Sequence, residues 1–222
     1  MALSTEEEES LESIKRWWRE SGRSLAMGIV AVALVYFGWQ AWQASQTRSA
    51  AEASAVYDQL SQLMVTPPGE MVPEADRESA QALVARLKTD HADSVYALYG
   101  ALFGARLAAE ADDLATAEQE LQWLLDNTQS GLFGSTDATL VMLAQLRLGR
   151  VLLANGEPDR AMSVISGVEP SALSAEFDEL RGDIYLAQGQ REQALAAYES
   201  AQAAAAGNPI LQMKLTELQG SL

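Results

Sequence analysis

One uncharged stretch constrains the fold of this chain more than any other feature. Residues 25–42 (LAMGIVAVALVYFGWQAW) are 18 consecutive residues without a charge, and Gln40 is the only strongly polar side chain among them. A helix rises about 1.5 Å per residue, so this stretch covers roughly 27 Å, close to the hydrocarbon thickness of a bilayer. Tryptophans flank it as interfacial anchors do: Trp17, Trp18, Trp39 and Trp42. The sequence therefore predicts one transmembrane helix at residues 24–43.

Two other kinds of segment share this apolar length. A cleaved signal peptide has a shorter apolar region followed closely by a small-residue cleavage site, whereas this stretch contains two tryptophans and lacks a convincing site. A core helix of a soluble protein would not need the uneven distribution of basic residues described next. We therefore favour an uncleaved membrane anchor.

Basic residues are concentrated on one side of the apolar stretch. Four precede it: Lys15, Arg16, Arg19 and Arg23. After it, only Arg48 comes before Arg77. The positive-inside rule then places residues 1–23 in the cytoplasm, as a tail with a short amphipathic helix on the membrane surface. The rest of the chain is predicted to be periplasmic, so the protein would be a single-pass bacterial inner-membrane protein that contacts the lipid bilayer.

Small residues recur along one face of the predicted span. Steps of four and three residues connect Ser24, Gly28, Ala31, Val35 and Gly38. Small side chains let two helices approach closely in lipid, so this face is a candidate docking surface for another membrane protein. Glycine and alanine are also common in spanning helices that dock on nothing, and both interpretations stay open.

Helix formers dominate the remainder, and proline and glycine divide it. Residues 44–91 are predicted to be a helical connector. In it, residues 48–64 continue the membrane helix or follow it after a bend, until Pro67-Pro68-Gly69 ends the helix. A second helix is predicted over 74–88.

The segment from residue 92 onward contains an internal repeat. Five pairs of residues are related by an offset of 33: Gly149 and Gly182, Leu152 and Tyr185, Gly156 and Gly189, Ala161 and Ala194, Ile165 and Tyr198. This offset is within one residue of the tetratricopeptide (TPR) period. Ala105, Ala117 and Leu121 repeat the internal spacing upstream at an offset of 44. The sequence predicts helix pairs at 92–127, 136–168 and 172–206, with a closing helix after Asn208-Pro209.

The predicted fold class is therefore all-α: a single N-terminal transmembrane helix followed by a TPR-like helical-repeat solenoid at 92–222. Gly156 and Gly189 would supply positive φ in the turns, and the first helix of each pair would line the concave side. The residues projected onto that side form a candidate groove for unfolded polypeptide segments: Tyr99, Leu102, Arg106, Leu143, Leu146, Arg150, Leu153, Glu176, Glu179 and Asp183. Some of these leucines would alternatively pack against neighbouring helices.

Composition excludes several classes of function. The formal charge of −16 disfavours nucleic acid, since phosphate backbones are bound by basic surfaces. The chain has no cysteine and one histidine, His91, which we expect at the surface. Asp112-Asp113 is an acidic pair, but it lies between predicted helices, where a helix N-cap is needed. We therefore expect no catalytic residues, no metal site and no cofactor, and we do not expect an enzyme.

The order of these features resembles a known family. An acidic tail precedes LESIKRWWRESGRSLAMGIVAVALVYFGWQAWQ; then come SAAEASAVYDQL, the helix at 96–102 and LRGDIYLAQGQREQALAAYESA. The arrangement is similar, along nearly the whole chain, to that of the YfgM family of ancillary SecYEG translocon subunits. The resemblance implies association with the SecYEG translocon and with the periplasmic chaperone PpiD, and a part in passing translocated polypeptides to periplasmic chaperones. The alternative is a TPR scaffold of another envelope complex, for cell division or outer-membrane assembly.

Overall fold

The computed structural model describes residues 5–67, 69–128, 136–169, 173–205 and 207–220. Within the first helix, the side chains described are those of residues 15–18 and from 26 onward. The chain separates into two compact units, Met1–Ala51 and Glu52–Leu222. All regular structure in the described ranges is helical, which confirms the predicted all-α fold class.

Helix α1 runs without a break over Thr5–Leu63. It contains the predicted span, and the candidate amphipathic segment of the tail belongs to the same helix. One part of it, within Ala26–Leu63, is long and apolar enough to cross a membrane, and none of that part is buried inside the protein. The helix ends before Pro67, in agreement with the predicted stop.

Further helices follow α1 in the described ranges. Their bounds are α2 Glu74–Asp90, α3 Val95–Glu110, α4 Leu114–Asp126, α5 Ala138–Ala154, α6 Pro158–Ser166, α7 Ser174–Ala187, α8 Arg191–Ala204 and α9 Pro209–Gly220. Helices α3–α4, α5–α6 and α7–α8 are here called pair one, pair two and pair three. They fall in the three ranges expected from the repeat, and α9 is the closing helix.

The turns inside the three pairs share one backbone structure. In pairs two and three the turn residue is Gly156 or Gly189, with φ of 78° and 75°. The next amide, of Glu157 or Gln190, donates to a helix carbonyl five residues earlier, at 2.9 Å and 2.8 Å. This is the Schellman arrangement, which needs a left-handed residue and favours glycine.

Pair one makes the same turn with a different residue. Asp112 stands at the glycine position with φ of 59°, and the Asp113 amide donates to the Ala108 carbonyl at 2.9 Å. The Asp113 carboxylate then accepts from the Thr116 amide at 3.0 Å. This is the N-cap predicted for the acidic pair, and it begins α4.

Glycines in the first helix of pairs two and three let neighbouring helices approach closely. A Cβ added at Gly182 would lie 2.4 Å from Cε1 of Tyr198 on α8. A Cβ added at Gly149 would lie 3.0 Å from Cγ2 of Ile165 on α6 and 2.9 Å from Cδ2 of Leu180 on α7. On the second helix of each pair, Ile165 or Tyr198 thus lies against the glycine. Ala161 and Ala194, which the sequence predicts to face the glycines, lie farther away.

The end of α1 packs in the same compact unit as the repeats. Ala53, Val56 and Leu60 are buried with apolar residues of α2 and α3. The later part of the predicted connector therefore shares a core with pair one, and the two units divide after Ala51. His91, expected at the surface, is instead buried at the C-terminal end of α2, where its amide donates to the Leu87 carbonyl at 3.1 Å.

Candidate functional site

The predicted docking face of the membrane helix is exposed over its described part. Gly28, Ala31, Val35 and Gly38 all face outward, and Val35 has 74 % of its surface exposed. The Ser24 side chain lies outside the described residues. A Cβ added at Gly28 or Gly38 meets no atom within 4 Å. Apolar side chains this exposed are stable in lipid or against a partner helix rather than in water.

The leucines of the candidate groove lie mostly in the core. Leu102 and Leu146 have exposed fractions of only 6 % and 2 %. Leu143 and Leu153 are half-buried and pack against the same core. These residues mainly hold neighbouring helices together, which is the alternative left open by the sequence.

Arg106, another predicted groove residue, is engaged by contacts inside the protein. Its guanidinium donates to the Glu110 carboxylate at 2.6 Å, to the Met64 carbonyl at 3.2 Å and to the Thr66 hydroxyl at 2.8 Å. Glu110 also accepts from the Val72 amide at 3.0 Å. Arg106 thus fastens the segment after α1 to pair one, and we call these five residues the entry cluster.

The entry cluster holds the Glu110 carboxylate in its charged form. Burial alone would raise the pKa of Glu110. The hydrogen bonds from the Val72 amide and from Arg106, together with the charge of Arg106, outweigh burial and lower that pKa.

Two acidic residues of the predicted groove are also engaged internally. Lys214 of the closing helix lies 2.8 Å from Glu179 and 2.7 Å from Asp183. The Tyr198 hydroxyl donates to Asp183 at 2.6 Å. These four residues attach α9 to pair three, and we call them the closing cluster.

The closing cluster shifts the pKa values of its two proton donors. Burial lowers the pKa of Lys214, but its hydrogen bonds to Asp183 and Glu179 outweigh burial and raise it overall. Burial and the hydrogen bond to Asp183 raise the pKa of Tyr198. Both donors therefore keep their protons at neutral pH.

The remaining groove residues are separated from one another. Tyr99 is half-buried in a group of rings, with its ring centroid 6.0 Å from that of Tyr57. Glu176 is half-buried, and Arg150 is exposed.

Arg150 lines a cavity that the sequence did not predict. The cavity has a volume of about 250 Å³ and lies between α3 and α5, the first helices of pairs one and two. We call it the arginine cavity; its lining residues are Ala105, Arg106, Ala109, Leu121, Arg147, Arg150 and Val151. Sequence reasoning missed Arg147, although a signal was present: α5 contains two arginines and no acidic residue in its 17 positions.

The residues described contain no group of three His, Asp or Glu side chains placed to hold a metal ion. The molecule instead offers an exposed apolar helix and surfaces on a stack of helical hairpins.

These features define a TPR-like protein, and residues 15–220 match the family model described as a tetratricopeptide repeat-like domain. Two similar proteins are ancillary SecYEG translocon subunits. The one from Haemophilus influenzae is 30 % identical over 202 residues, 91 % of each chain. The one from Aggregatibacter actinomycetemcomitans is 30 % identical over 220 residues, 98 % of this chain and 100 % of the relative. A third, from Escherichia coli, is 28 % identical over 221 residues.

The chain therefore belongs to the family of ancillary SecYEG translocon subunits, as its sequence predicts. No solved structure matches it. The family, together with the apolar helix near the N-terminus, fits a single-pass inner-membrane protein.

Proposed function

We propose that this protein is a non-enzymatic, membrane-anchored adaptor that associates with the SecYEG translocon. In this proposal its repeats receive translocated polypeptide segments and help pass them to periplasmic chaperones of the PpiD kind. The observation that carries the proposal is the combination, in one chain, of an exposed membrane-length helix and a stack of helical pairs. Tethering would raise the effective concentration of the repeats beside the translocon exit.

The proposed orientation puts the N-terminus in the cytoplasm and the repeats in the periplasm, on the basis of the basic residues before the span. Since the chain has no cysteine, single introduced cysteines give a clean test. A membrane-impermeant maleimide should label Gln193→Cys in intact spheroplasts and Thr5→Cys only after lysis. The reverse pattern would mean that the topology is inverted.

Docking through the small-residue face of α1 can be tested with a closely matched pair of variants. Ala31 and Ala33 are neighbours in sequence, but they lie about 200° apart around the helix. Ala31→Leu should lower the amount of SecYEG that co-purifies in mild detergent several-fold, because a larger side chain prevents close helix approach. Ala33→Leu adds the same side chain on the other face and should have little effect.

The outcome also distinguishes the proposed partner from others. Equal co-purification of SecYEG with both variants would rule out docking through this face, but it would not rule out association with SecYEG. If division or outer-membrane assembly proteins co-purify and SecYEG does not, the scaffold alternative replaces this proposal.

If the repeats pass polypeptides to chaperones, a translocating polypeptide should come close to the first helices of the pairs. A photo-crosslinking amino acid at Leu153, on the predicted groove side of α5, should form adducts with a stalled translocation substrate and with a PpiD-like chaperone. The same amino acid at the exposed Ser163 on α6 serves as the control. Equal adducts at both positions would contradict a groove on the first helices.

A further inference from the structure

We propose that the arginine cavity binds an acidic side chain of a peptide segment, with Arg147 and Arg150 holding its carboxylate. The inference rests on the proposed function, because it names the kind of polypeptide segment that the repeats would take. It adds a residue, Arg147, and a ligand chemistry that the repeat pattern does not supply.

The first argument is how the basic residues of the repeat unit are paired. Seven of them form ion pairs with carboxylates: Arg77, Arg86, Lys88, Arg106, Arg160, Arg181 and Lys214. In the described part of the chain, no carboxylate forms such a pair with Arg147 or Arg150. The undescribed stretches 129–135 and 170–172 contain no aspartate or glutamate that could do so. The formal charge of the chain is −16, so it is unusual that two cations on one helix face have no acidic partner among the described residues.

The second argument is the electrostatic environment of Arg147. Arg147 and Arg150 are three residues apart on α5, so their side chains share a face. Arg147 is half-buried, and burial together with the charges of Arg150 and Arg106 lowers its pKa, although a guanidinium still keeps its proton. Like charges held this close repel each other, and an anion between them would remove the repulsion.

The third argument is the shape and lining of the cavity. Apart from the arginines, its walls are small or aliphatic: Ala105, Ala109, Leu121 and Val151. A volume of about 250 Å³ lies below the roughly 300–1,000 Å³ of small-molecule sites and suits one or two side chains of a peptide. A guanidinium fork binds a carboxylate through two parallel hydrogen bonds, which a lysine cannot do. The expected ligand is therefore an aspartate or glutamate beside an apolar residue.

The position of the cavity favours a peptide over an anionic lipid as the source of the anion. The cavity is recessed between α3 and α5 rather than presented as a basic patch. A single acidic side chain can enter where a membrane surface cannot.

The test uses the full chain in detergent and two peptide probes that carry an uncharged dye. One probe is an alanine–leucine peptide with a central Asp-Leu-Glu, and the other replaces this with Asn-Leu-Gln. By fluorescence anisotropy, Arg147→Gln/Arg150→Gln should lower the affinity for the acidic probe about tenfold or more and leave the neutral probe within about twofold. The wild-type preference for the acidic probe should weaken as salt rises.

Two further variants control for net charge and for geometry. Arg48→Gln/Arg86→Gln removes the same charge from exposed positions outside the cavity and should keep the wild-type affinity. Arg150→Lys keeps the charge but loses the fork, so an intermediate loss is expected. Equal unfolding temperatures of the wild type and the cavity variant would show that folding is unchanged.

Several outcomes would overturn the inference. These are equal wild-type affinity for both probes, an equal loss in the Arg48/Arg86 variant, or binding of short-chain phosphatidylglycerol through Arg147 and Arg150 without any preference for the acidic probe. The cavity variant should still co-purify with SecYEG, because the α1 face is unaltered. Failure of the inference is thereby distinguished from failure of the proposed function, which the Ala31→Leu comparison measures.

Discussion

The two ends of the repeat stack use their charged residues differently from α5, the first helix of the middle pair. In the entry cluster Arg106 holds the segment after α1, and in the closing cluster Lys214 holds α9. In the middle, Arg147 and Arg150 form no ion pair with any described carboxylate. An end pair lacks a repeat neighbour on one side, so its polar residues attach a capping segment. The middle pair also contains an ion-paired residue, because Arg160 of α6 pairs with Glu118 of α4 and with Glu157. The two arginines of α5, in contrast, remain available to a ligand.

The largest difference between the closing end and the middle is expected at the two glycines. Gly182→Ala should destabilise the protein by about 3 kcal/mol, because the added Cβ meets the ring of Tyr198, which is buried and hydrogen-bonded to Asp183. Gly149→Ala should cost about 1 kcal/mol or less, since the ends of two aliphatic side chains can move and alanine favours the helix. Chemical unfolding of the full chain in detergent, followed by circular dichroism, measures both. Equal losses would show that the two positions are packed alike.

The next largest difference is expected when the basic residues of the closing end and of α5 are replaced. Lys214→Met should cost about 2 kcal/mol, because it leaves Asp183 and Glu179 half-buried beside each other without a cation. Arg147→Gln should change the free energy of unfolding by no more than about 0.5 kcal/mol, as it breaks no ion pair with a described carboxylate. A loss at Arg147 as large as that at Lys214 would mean that the arginines of α5 stabilise the fold and are not available to a ligand.

The two ends should also respond to opposite extremes of pH. The pKa of Glu110 is lowered on folding, so its contribution is present above its unfolded pKa of about 4.5 and is lost as the pH falls through the lower folded value. The pKa of Lys214 is raised, so its contribution is present below about 10.5 and is lost as the pH rises through the higher folded value. The stability difference between wild type and Glu110→Gln should therefore shrink in acid. The difference for Lys214→Met should shrink in strong alkali, and the opposite pattern would contradict the assigned clusters.

The smallest effect is expected in the turns. Asp112→Gly in pair one should stabilise the protein by about 0.5 kcal/mol, because relief of the left-handed strain at an L-residue slightly exceeds the added freedom of the unfolded chain. The reverse change in the middle, Gly156→Asp, should destabilise it by about 1 kcal/mol. Unfolding midpoints of the two variants measure this, and changes of the same sign would show that the turns are not equivalent.

Local and periodic features were predictable from the sequence. The uncharged stretch, the offset of 33 residues and the turn glycines depend on composition and spacing, and they correspond to α1, to pairs two and three, and to residues with positive φ. The Asp113 cap was predictable for the same reason, since a cap acts within one turn of the backbone.

The candidate groove was less predictable, because projection onto a helix face says nothing about what packs on that face. Arg106 has partners 40 and 42 residues away, and Asp183 meets a lysine 31 residues away. Such partners depend on where the segment after α1 and the closing helix return to the repeats. The same positions in the pattern therefore include core leucines, structural ion pairs and one exposed arginine.

The sequence by itself determined that this chain has one helix of membrane length and a series of amphipathic hairpins, because hydrophobic periodicity and turn chemistry act over a few residues. Only the tertiary structure decided which charges are neutralised internally and which face a cavity. That choice depends on contacts between residues far apart in the chain, whose free energy is gained only when the helices are packed.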